Sequence, residues 1–343
     1  MQVNNKQKFG RKWGEYTLFS LTNSNLIHVD ITDLGASLVN FYVPGKGGRR
    51  VNIVLGYDTA KAYLEGDAFI GGVVGPWANR INGGAFKLDG NTVQLEQNEG
   101  ANHLHGASAG LHKKHWEVET VTRQKITLKA RIKQGEAGFP ANISIYVTYQ
   151  LTNDNALNIH YKAQSDGTTP INLTQHAYFN LSGGEENILD HMIHIDAETY
   201  LAIDDQFIPS RKCAVAGTAM DFRQPMRIGS YIHLEDEQLL IAGGYDHCWC
   251  LNGRGLRPIA QVYAKKTGIT LNIATDQVGV QFYSGNSLQD IDGRNGAIYQ
   301  KYDGLCLETQ CYPDQVNMTE LAECILKLGE LYRHTTVYQV ITD

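Results

Sequence analysis

The chain has 343 residues, 42% of them hydrophobic, and a formal net charge of -6 at pH 7. Basic residues are scattered rather than grouped in a stripe, which argues against partners such as nucleic acid or an anionic membrane. The polar start, Met1 to Gly10, lacks the apolar core of a secretory signal peptide, and no stretch reaches the ~18 apolar residues of a membrane-spanning helix. We therefore expect a soluble, cytoplasmic protein.

Alternating and β-branched runs separated by turn residues predict strands along most of the chain. Two turns, Asp89-Gly90 and Asn153-Asp154-Asn155, predict β-hairpins. Helical periods are nearly absent, with short candidates only at 58–65 and 226–230. No linker or composition break divides the chain, so we expect one antiparallel all-β domain, a sandwich or barrel, over residues 1–343. The predicted strands are 26–31, 37–43, 86–88, 92–95, 126–132, 143–151, 157–161, 189–195, 260–263, 269–273 and 278–283.

Six cysteines are spread over the C-terminal half of the chain. An even number is compatible with disulfides, but without an export signal free buried thiols are the better prediction. The cysteines are Cys213, Cys248, Cys250, Cys306, Cys311 and Cys324.

A single carboxylate, Glu308, follows a short apolar run near the C-terminal end of the chain. Glu308 follows Leu305, Cys306 and Leu307, so the segment reads as a buried strand that carries one acid. A buried charge costs free energy unless it is paired or used, and burial raises the pKa of a carboxyl group toward neutrality. Two histidine runs, 102–106 and 174–180, contain possible partners, and an acid–base pair across a small substrate would catalyse proton transfer.

Two other local patterns have plainer interpretations. The segment 106–110 matches the G-x-S-x-G pattern of hydrolase nucleophile elbows, but it lacks the strand and helix that this motif requires, so we expect a loop. His103 and His105 would face the same way in an extended segment and could ligate a metal. No further ligands accompany them, so we expect no metal; substrate hydrogen bonding and a structural role both remain open.

Several polar residues each have a surface and a site interpretation. Arg80, beside Asn79 and Trp77, is either a surface charge or part of a sugar-binding set with fork-like donors and a flat apolar face. Asp246 is either a solvated loop acid or a carboxylate that binds substrate hydroxyls. Gln281 lies in a predicted strand and faces inward or outward. Such groups form a ligand pocket only if the fold brings them together.

Six motifs, in this order, resemble those of the galactose mutarotase (aldose 1-epimerase) family. Together they cover most of the chain, from Gly56 to Asn317, and none lacks a functional residue. The motifs are GPWANRI (75–81), NEGANHLHG (98–106), TQHAYFNL (174–181), GYDH (244–247), QFYSGN (281–286) and LETQ (307–310).

The resemblance implies a large antiparallel β-sandwich, called a supersandwich, with a sugar site in a cleft over one sheet. Residue by residue, it implies that Glu308 is the general base, His176 the general acid, and His105 a second histidine that assists near the ring oxygen and the anomeric carbon. It implies no cofactor and no metal. The positions that match substrate-binding residues are Asn79, Arg80, Asp246 and Gln281.

The implied activity is interconversion of the α and β anomers of a free hexose such as galactose or glucose. Glu308 would take the proton of the anomeric hydroxyl while His176 protonates the ring oxygen, and the ring would open and reclose on the other face. As an acid, His176 should have a pKa not far below the ~6.5 of a free histidine, and a nearby carboxylate would help to hold its proton.

Three other activities fit parts of the pattern. A sugar-phosphate epimerase would need more cations than Arg80. A glycoside hydrolase would use two carboxylates, such as Asp246 and Glu308, at a defined separation. A non-catalytic sugar sensor could dispense with Glu308 and His176. For the implied epimerase we expect a small-molecule aldohexose substrate, no nucleic acid or membrane partner, and a monomer or homodimer.

Overall fold

The structure is a computed structural model that describes residues 9–318 and 324–343. The polar start of the chain lies almost wholly in residues 1–8, outside the described part, and the single domain over 1–343 stays a prediction. Among the described residues, no helix is long and apolar enough to cross a membrane.

The largest sheet has nine strands, all paired antiparallel. Its strand Ile143–Leu151 alternates strictly between buried and half-buried residues, as expected when one face covers a core. In spatial order the strands are Glu117–Val121, Lys125–Ile132, Ile143–Leu151, Ala156–Ser165, Tyr332–Thr342, Ile269–Thr275, Arg257–Ala264, Met192–Ile195 and Met226–Arg227.

Two five-stranded antiparallel sheets complete the main framework. The N-terminal sheet contains Gly10–Trp13, Tyr16–Thr22, His28–Thr32, Leu38–Pro44 and Arg50–Asn52. The second, called here the site sheet, contains in spatial order Pro209–Ala214, Thr199–Ile203, Asp246–Cys250, Gly279–Tyr283 and Cys306–Gln310. Two-stranded ladders join Arg80–Ile81 to His103–Leu104, Val73–Val74 to Thr174–Gln175, Thr169–Pro170 to Ile325–Leu326, Ala85–Leu88 to Asn91–Gln94, and Ile291–Asp292 to Ile298–Tyr299.

The site sheet packs over the nine-stranded sheet. Thr309 Oγ1 lies 2.6 Å from Thr336 Oγ1 and 3.2 Å from His334 Nε2, and both of these residues belong to the central strand Tyr332–Thr342. One continuous hydrophobic core includes buried residues of all three sheets, for example Phe41, Tyr338 and Phe282. The architecture is thus the large antiparallel β-sandwich that the resemblance implied.

Both hairpin predictions are confirmed, at Asp89-Gly90 and at 153–155. The helix candidate at 58–65 is confirmed as Ala60–Glu65, which begins after the capping side chain of Thr59. The candidate at 226–230 is wrong as a helix of that length, because its first two residues form a strand. The remaining short 3-10 segments are Lys46–Gly48, Asn82–Gly84, Ala107–Ala109, Leu111–Lys113, Glu136–Gly138, Ile188–Asp190, Ile228–Ser230, Arg294–Gly296 and Gln315–Asn317.

A second α-helix, Glu237–Ala242, was missed in the sequence. Asp236 caps it by accepting hydrogen bonds from the backbone N–H groups of Gln238 and Leu239. Gly243 ends it in the left-handed conformation that glycine adopts without strain. In the described part of the chain none of the six cysteines forms a disulfide, as expected.

Candidate active site

A cavity of about 610 Å³ lies over the site sheet and brings six of the seven predicted site residues together. The six are Asn79, Arg80, His105, His176, Asp246 and Glu308. The seventh, Gln281, is 3% exposed and lies beneath the lining. The segment 106–110 forms a loop with a 3-10 turn, as predicted, rather than a nucleophile elbow.

Glu308 lies in the middle of the strand Cys306–Gln310, in which every residue is buried. The strand pairs with Gly279–Tyr283 so that Glu308 is directly opposite Gln281. Burial raises the pKa of Glu308 well above its ordinary value, the negative charge of Asp246 raises it further, and the positive charge of Arg80 opposes the shift. Its Oε2 atom has no hydrogen-bond partner in the described part of the chain. A carboxylate whose pKa is raised is a stronger base than an exposed one.

His176 follows the short strand Thr174–Gln175, and backbone hydrogen bonds with Gly71 and Gly72 hold it in place. Its Nε2 atom lies 3.8 Å from Glu308 Oε1. Burial lowers the pKa of His176 to about 4, and its own backbone carbonyl opposes this shift only in part. The expectation that this pKa lies not far below 6.5 is therefore wrong. Desolvation therefore disfavours the charged form of each partner.

His105 is fixed by Asn79 through two backbone contacts. The backbone N–H of His105 donates to the carbonyl of Asn79 at 3.2 Å, and the N–H of Asn79 donates to His105 Nδ1 at 3.1 Å. Because a backbone N–H can only donate, Nδ1 carries no proton, and the neutral ring carries its proton on Nε2. Burial, and then the neighbouring His176, lower the pKa of His105 well below its ordinary value. His105 is thus a neutral hydrogen-bond donor 5.6 Å, between ring centroids, from His176.

The two histidines and Glu308 form a group whose geometry invites a test for metal binding. One possible ligand atom from each of His105, His176 and Glu308 lies within 4.8 Å of the others. A metal-bound histidine normally donates its second N–H to an acceptor. His105 instead accepts a hydrogen bond at Nδ1, so ligation through Nε2 would leave the ring with no proton at all. The donor set of this group does not suit a metal ion.

Arg80 is already held by two residues that the sequence analysis did not assign. Its guanidinium makes a bidentate ion pair with Glu99, with Nε 2.5 Å from Oε2 and Nη2 2.6 Å from Oε1. The guanidinium carbon also lies 4.7 Å from the centroid of the Phe207 ring. Glu99 belongs to the matched motif 98–106, so the sequence offered this acid as a possible partner for Arg80.

Asp246 and Gln281 form a hydrogen-bonded pair on neighbouring strands. Gln281 Nε2 donates to Asp246 Oδ1 at 2.7 Å. Burial raises the pKa of Asp246, while the charge of Arg80 and the bond from Gln281 oppose the shift. Gln281 therefore orients a carboxylate of the lining, and it faces inward.

Trp77 does not provide the flat apolar face that was predicted for the sugar-binding set. Trp77 is completely buried, and its Nε1–H donates to the carbonyl of Arg80, so it packs in the core. Aromatic side chains of the cavity come instead from Phe69, Phe207 and other residues. Phe69 has a φ of 55°, in the left-handed region, and its ring centroid lies 4.7 Å from that of His105 and 5.7 Å from that of His176.

His103 does not share the cavity with His105. It donates from Nδ1 to the carbonyl of Glu96 at 2.7 Å and packs against Phe139. The two histidines diverge because His105 has a φ of 53°, so the segment is not extended there. The structural interpretation of His103 fits these contacts, and His105 is the histidine that faces the ligand cavity.

A larger cavity, of about 800 Å³, lies at the edge of the nine-stranded sheet near the strands Met192–Ile195 and Met226–Arg227. Its acids are engaged locally, because Glu198 and Asp221 both pair with Arg223 and Asp196 accepts a hydrogen bond from Asn252. It contains none of the predicted site residues, so the smaller cavity over the site sheet is the candidate active site.

Known proteins resemble this chain over nearly its whole length. It matches the family described as aldose 1-epimerase over residues 17–339. It is 40% identical over 320 residues to the human protein named galactose mutarotase, covering 92% of each chain. It is 34% identical over 333 residues to the aldose 1-epimerase of Escherichia coli strain K12, covering 96% of each chain.

Solved structures agree with the fold. An aldose epimerase homologue from C. elegans superposes with a TM-score of 0.89 at 26% identity, covering 95% of this chain and 99% of that one. A galactose 1-epimerase from Lactobacillus acidophilus superposes with a TM-score of 0.85 at 28% identity, covering 97% of this chain and 96% of that one. The fold is a large antiparallel β-sandwich that this chain shares with these two structures. The chain belongs to the aldose 1-epimerase family, and it is an isomerase.

Proposed function

We propose that the protein interconverts the α and β anomers of free hexoses, galactose and glucose among them, and that the cavity over the site sheet is where it does so. The observation that carries the proposal is the buried pair of His176 and Glu308, whose Nε2 and Oε1 atoms lie 3.8 Å apart in a polar cavity. A pair that shares one proton can both remove and deliver a proton within one reaction.

Glu308 is the proposed base and His176 the proposed acid. Hydroxyl groups of a bound sugar would donate to Glu308, whose Oε2 atom is otherwise unpaired, and this favours the carboxylate with the proton on His176. Glu308 then takes the proton of the anomeric hydroxyl, and His176 protonates the ring oxygen. The bond between the ring oxygen and the anomeric carbon breaks, and the open aldehyde recloses on its other face with both proton transfers reversed.

His105 supports this reaction as a neutral donor. Its Nε2–H is fixed by the hydrogen bond that Nδ1 accepts from Asn79. A donor that is oriented before the reaction stabilises negative charge on the ring oxygen or the anomeric oxygen as it develops. The proton itself stays on His105, because burial disfavours any change of its charge state.

Asn79, Arg80, Asp246 and Gln281 are the proposed substrate-binding residues. Arg80 offers the donors that Glu99 leaves unused, and Asp246 offers acceptors for sugar hydroxyls. Asn79 acts by fixing His105, and Gln281 by fixing Asp246. In the described part of the cavity wall, five acids accompany the single cation Arg80, which favours a neutral sugar over a phosphorylated one. The acids are Glu65, Asp67, Glu99, Asp246 and Glu308.

The proposal includes no cofactor and no metal. It also includes a single domain over residues 1–343, a cytoplasmic location, and a monomer or homodimer, all of which rest on the sequence.

Polarimetry tests the activity directly. Freshly dissolved α-D-galactose and α-D-glucose would be followed with and without the purified protein, in buffer without added metal or nucleotide. We expect optical rotation to reach equilibrium faster than in buffer alone. The methyl glycosides are the matched control, because they lack a free anomeric hydroxyl and should not change.

Two results would contradict the proposal. Rates equal to those in buffer for both sugars, with binding seen by calorimetry, would favour the sugar sensor. Release of free sugar from the methyl glycosides would favour the glycoside hydrolase.

A further inference from the structure

Cys306 contacts the ring nitrogen of His176 that faces away from Glu308. Its Sγ atom lies 3.5 Å from His176 Nδ1, within the range of a hydrogen bond to sulfur. Cys306 is completely buried, and it precedes Glu308 by two positions in the same strand, so both side chains point to the same face. The thiol, the imidazole and the carboxyl group thus form one chain of contacts, from Sγ to Nδ1 and from Nε2 to Oε1.

Cys306 is a neutral thiol in this environment. Burial raises its pKa well above the ordinary value, and the negative charges of Glu308 and Asp246 raise it further. A thiol donates weakly through S–H and accepts weakly through its sulfur lone pairs. The contact with Nδ1 is a side-chain hydrogen bond of Cys306, and the backbone carbonyl of His176 also acts on the His176 ring.

A neutral histidine carries its proton on one ring nitrogen, and the partner of the other nitrogen decides which. If S–H donates to Nδ1, the proton of His176 is on Nε2, the nitrogen that faces Glu308 and the substrate. We propose that Cys306 is a positioning residue that holds His176 in this Nε2–H tautomer and accepts from Nδ1–H once the ring is doubly protonated. The proposal rests on the acid role of His176 given above.

A thiol has a consequence here that the more common carboxylate partner lacks. A carboxylate behind a catalytic histidine accepts from Nδ1–H and stabilises the imidazolium through its charge. An uncharged thiol adds no such stabilisation, so the protonated ring remains a strong acid toward the ring oxygen of the sugar. Six titratable groups in the described part of the chain lie close to His176. They are Glu308, Cys306, His105, His112, Tyr178 and Tyr283.

Nitrogen NMR of the histidine rings reads the tautomer directly. The full-length protein would be labelled with ¹⁵N histidine, and the His176 signals would be assigned by their loss in His176→Asn. We expect a protonated Nε2 and an unprotonated Nδ1 in the parent. A parent spectrum with the proton on Nδ1, pointing toward the ring's own backbone carbonyl, would overturn the proposal. This measurement needs no variant of Cys306, so it decides even if such variants fold poorly.

Kinetics of Cys306 variants test the consequence for catalysis. In Cys306→Ala we expect kcat to fall about five-fold, as for the loss of one neutral hydrogen bond, with KM unchanged and both tautomers visible. Cys306→Ser restores an O–H donor and should recover part of kcat and the single tautomer. Cys324→Ala, which removes another completely buried thiol away from the cavity, is the control and should keep the parent kcat.

Two outcomes separate this inference from the proposed function. A Cys306→Ala variant with the parent kcat and a single Nε2–H tautomer would overturn the role of Cys306 while leaving the mutarotase activity intact. A parent protein without mutarotase activity would overturn the function, and the ¹⁵N spectrum would still decide whether the thiol fixes the tautomer.

Discussion

Glu99 binds the guanidinium of Arg80 in a bidentate ion pair, and the ring centroid of Phe207 lies 4.7 Å from the guanidinium carbon. The Arg80 side chain is 11% exposed, whereas that of Glu99 is 38% exposed. The guanidinium is therefore oriented in advance, which would reduce the free energy needed to order it when the proposed sugar substrate binds.

Loss of this orientation should weaken binding and leave the chemistry unchanged. In Glu99→Gln we expect KM for the hexose to rise roughly two- to five-fold with kcat unchanged, because partly exposed ion pairs are worth about 0.2–1 kcal/mol. Initial rates by polarimetry give both constants. Glu119→Gln is a matched control, since Glu119 pairs with Lys129 at similar exposure, 37%, outside the cavity. A lower kcat at constant KM would contradict this view of Glu99.

The acid–base pair should act as one unit. In Glu308→Gln, an isosteric change that removes the proposed base, we expect kcat to fall by about 10²–10⁴ while the sugar still binds in calorimetry. His176→Asn should cost a similar factor, and the double variant little more than either single one, because each change disables the same step. Factors that multiply in the double variant would show that the two residues act independently.

Replacement of Glu308 should also change how stability depends on pH. The pKa of Glu308 is higher in the folded than in the unfolded chain, so the folded state keeps this proton longer. The free energy of unfolding of the parent therefore falls as pH rises above the unfolded value of about 4.3, by up to ~1.4 kcal/mol per pH unit. Glu308→Gln cannot ionise, and its stability relative to the parent should increase with pH in urea unfolding. A difference that stays constant with pH would contradict the raised pKa.

Buried neutral histidines should make the protein sensitive to acid. Burial lowers the pKa of His191 to about 4, and its Nε2 accepts a hydrogen bond from the backbone N–H of Leu181 at 2.9 Å. Between the unfolded pKa of about 6.5 and the folded value, the unfolded chain binds the extra proton, so stability is lost as pH falls. His191→Gln should flatten this slope by about 1.4 kcal/mol per pH unit. A slope unchanged in His191→Gln would contradict this role of His191.

Removal of metal ions should leave the activity unchanged. His105 accepts a hydrogen bond from Asn79 at Nδ1, so the group of His105, His176 and Glu308 lacks the donor chemistry of a metal site. Dialysis against a strong chelator, followed by polarimetry, should give the same kcat. Loss of activity that returns on adding a divalent metal would show that this group does bind one.

Local sequence patterns predicted many of the strands and turns of the fold. The turn Asp89-Gly90 and the alternation of 143–151 predict their structures because neighbouring residues determine both. The helix Glu237–Ala242 could have been found from its cap residues, Asp236 and Gly243. The pairing of Ala156–Ser165 with Tyr332–Thr342 could not, because no local pattern specifies a contact between segments so distant in sequence.

The sequence predicted which residues lie near the cavity better than it predicted how their side chains are arranged. The ordered motifs named the residues, and six of the seven line one cavity. The pattern assigned the flat face to Trp77, whose burial depends on packing from elsewhere in the chain. Phe69 and Phe207 have left-handed φ values of 55° and 61°, which bulky residues rarely adopt, so no residue preference could predict where their rings lie.

The hydrogen bonds of Thr309 to His334 and Thr336 lie on the reverse side of the strand that carries Glu308. Side chains of a strand alternate between its faces, so a slip of one residue would turn Glu308 into the core and present an inert neighbour to the sugar. The Thr309 contacts hold the strand in its observed register and so oppose that slip. Side chains that do not line the cavity thereby determine whether Glu308, the proposed base, faces it, so a substitution in the core beneath this strand could abolish activity without touching the cavity.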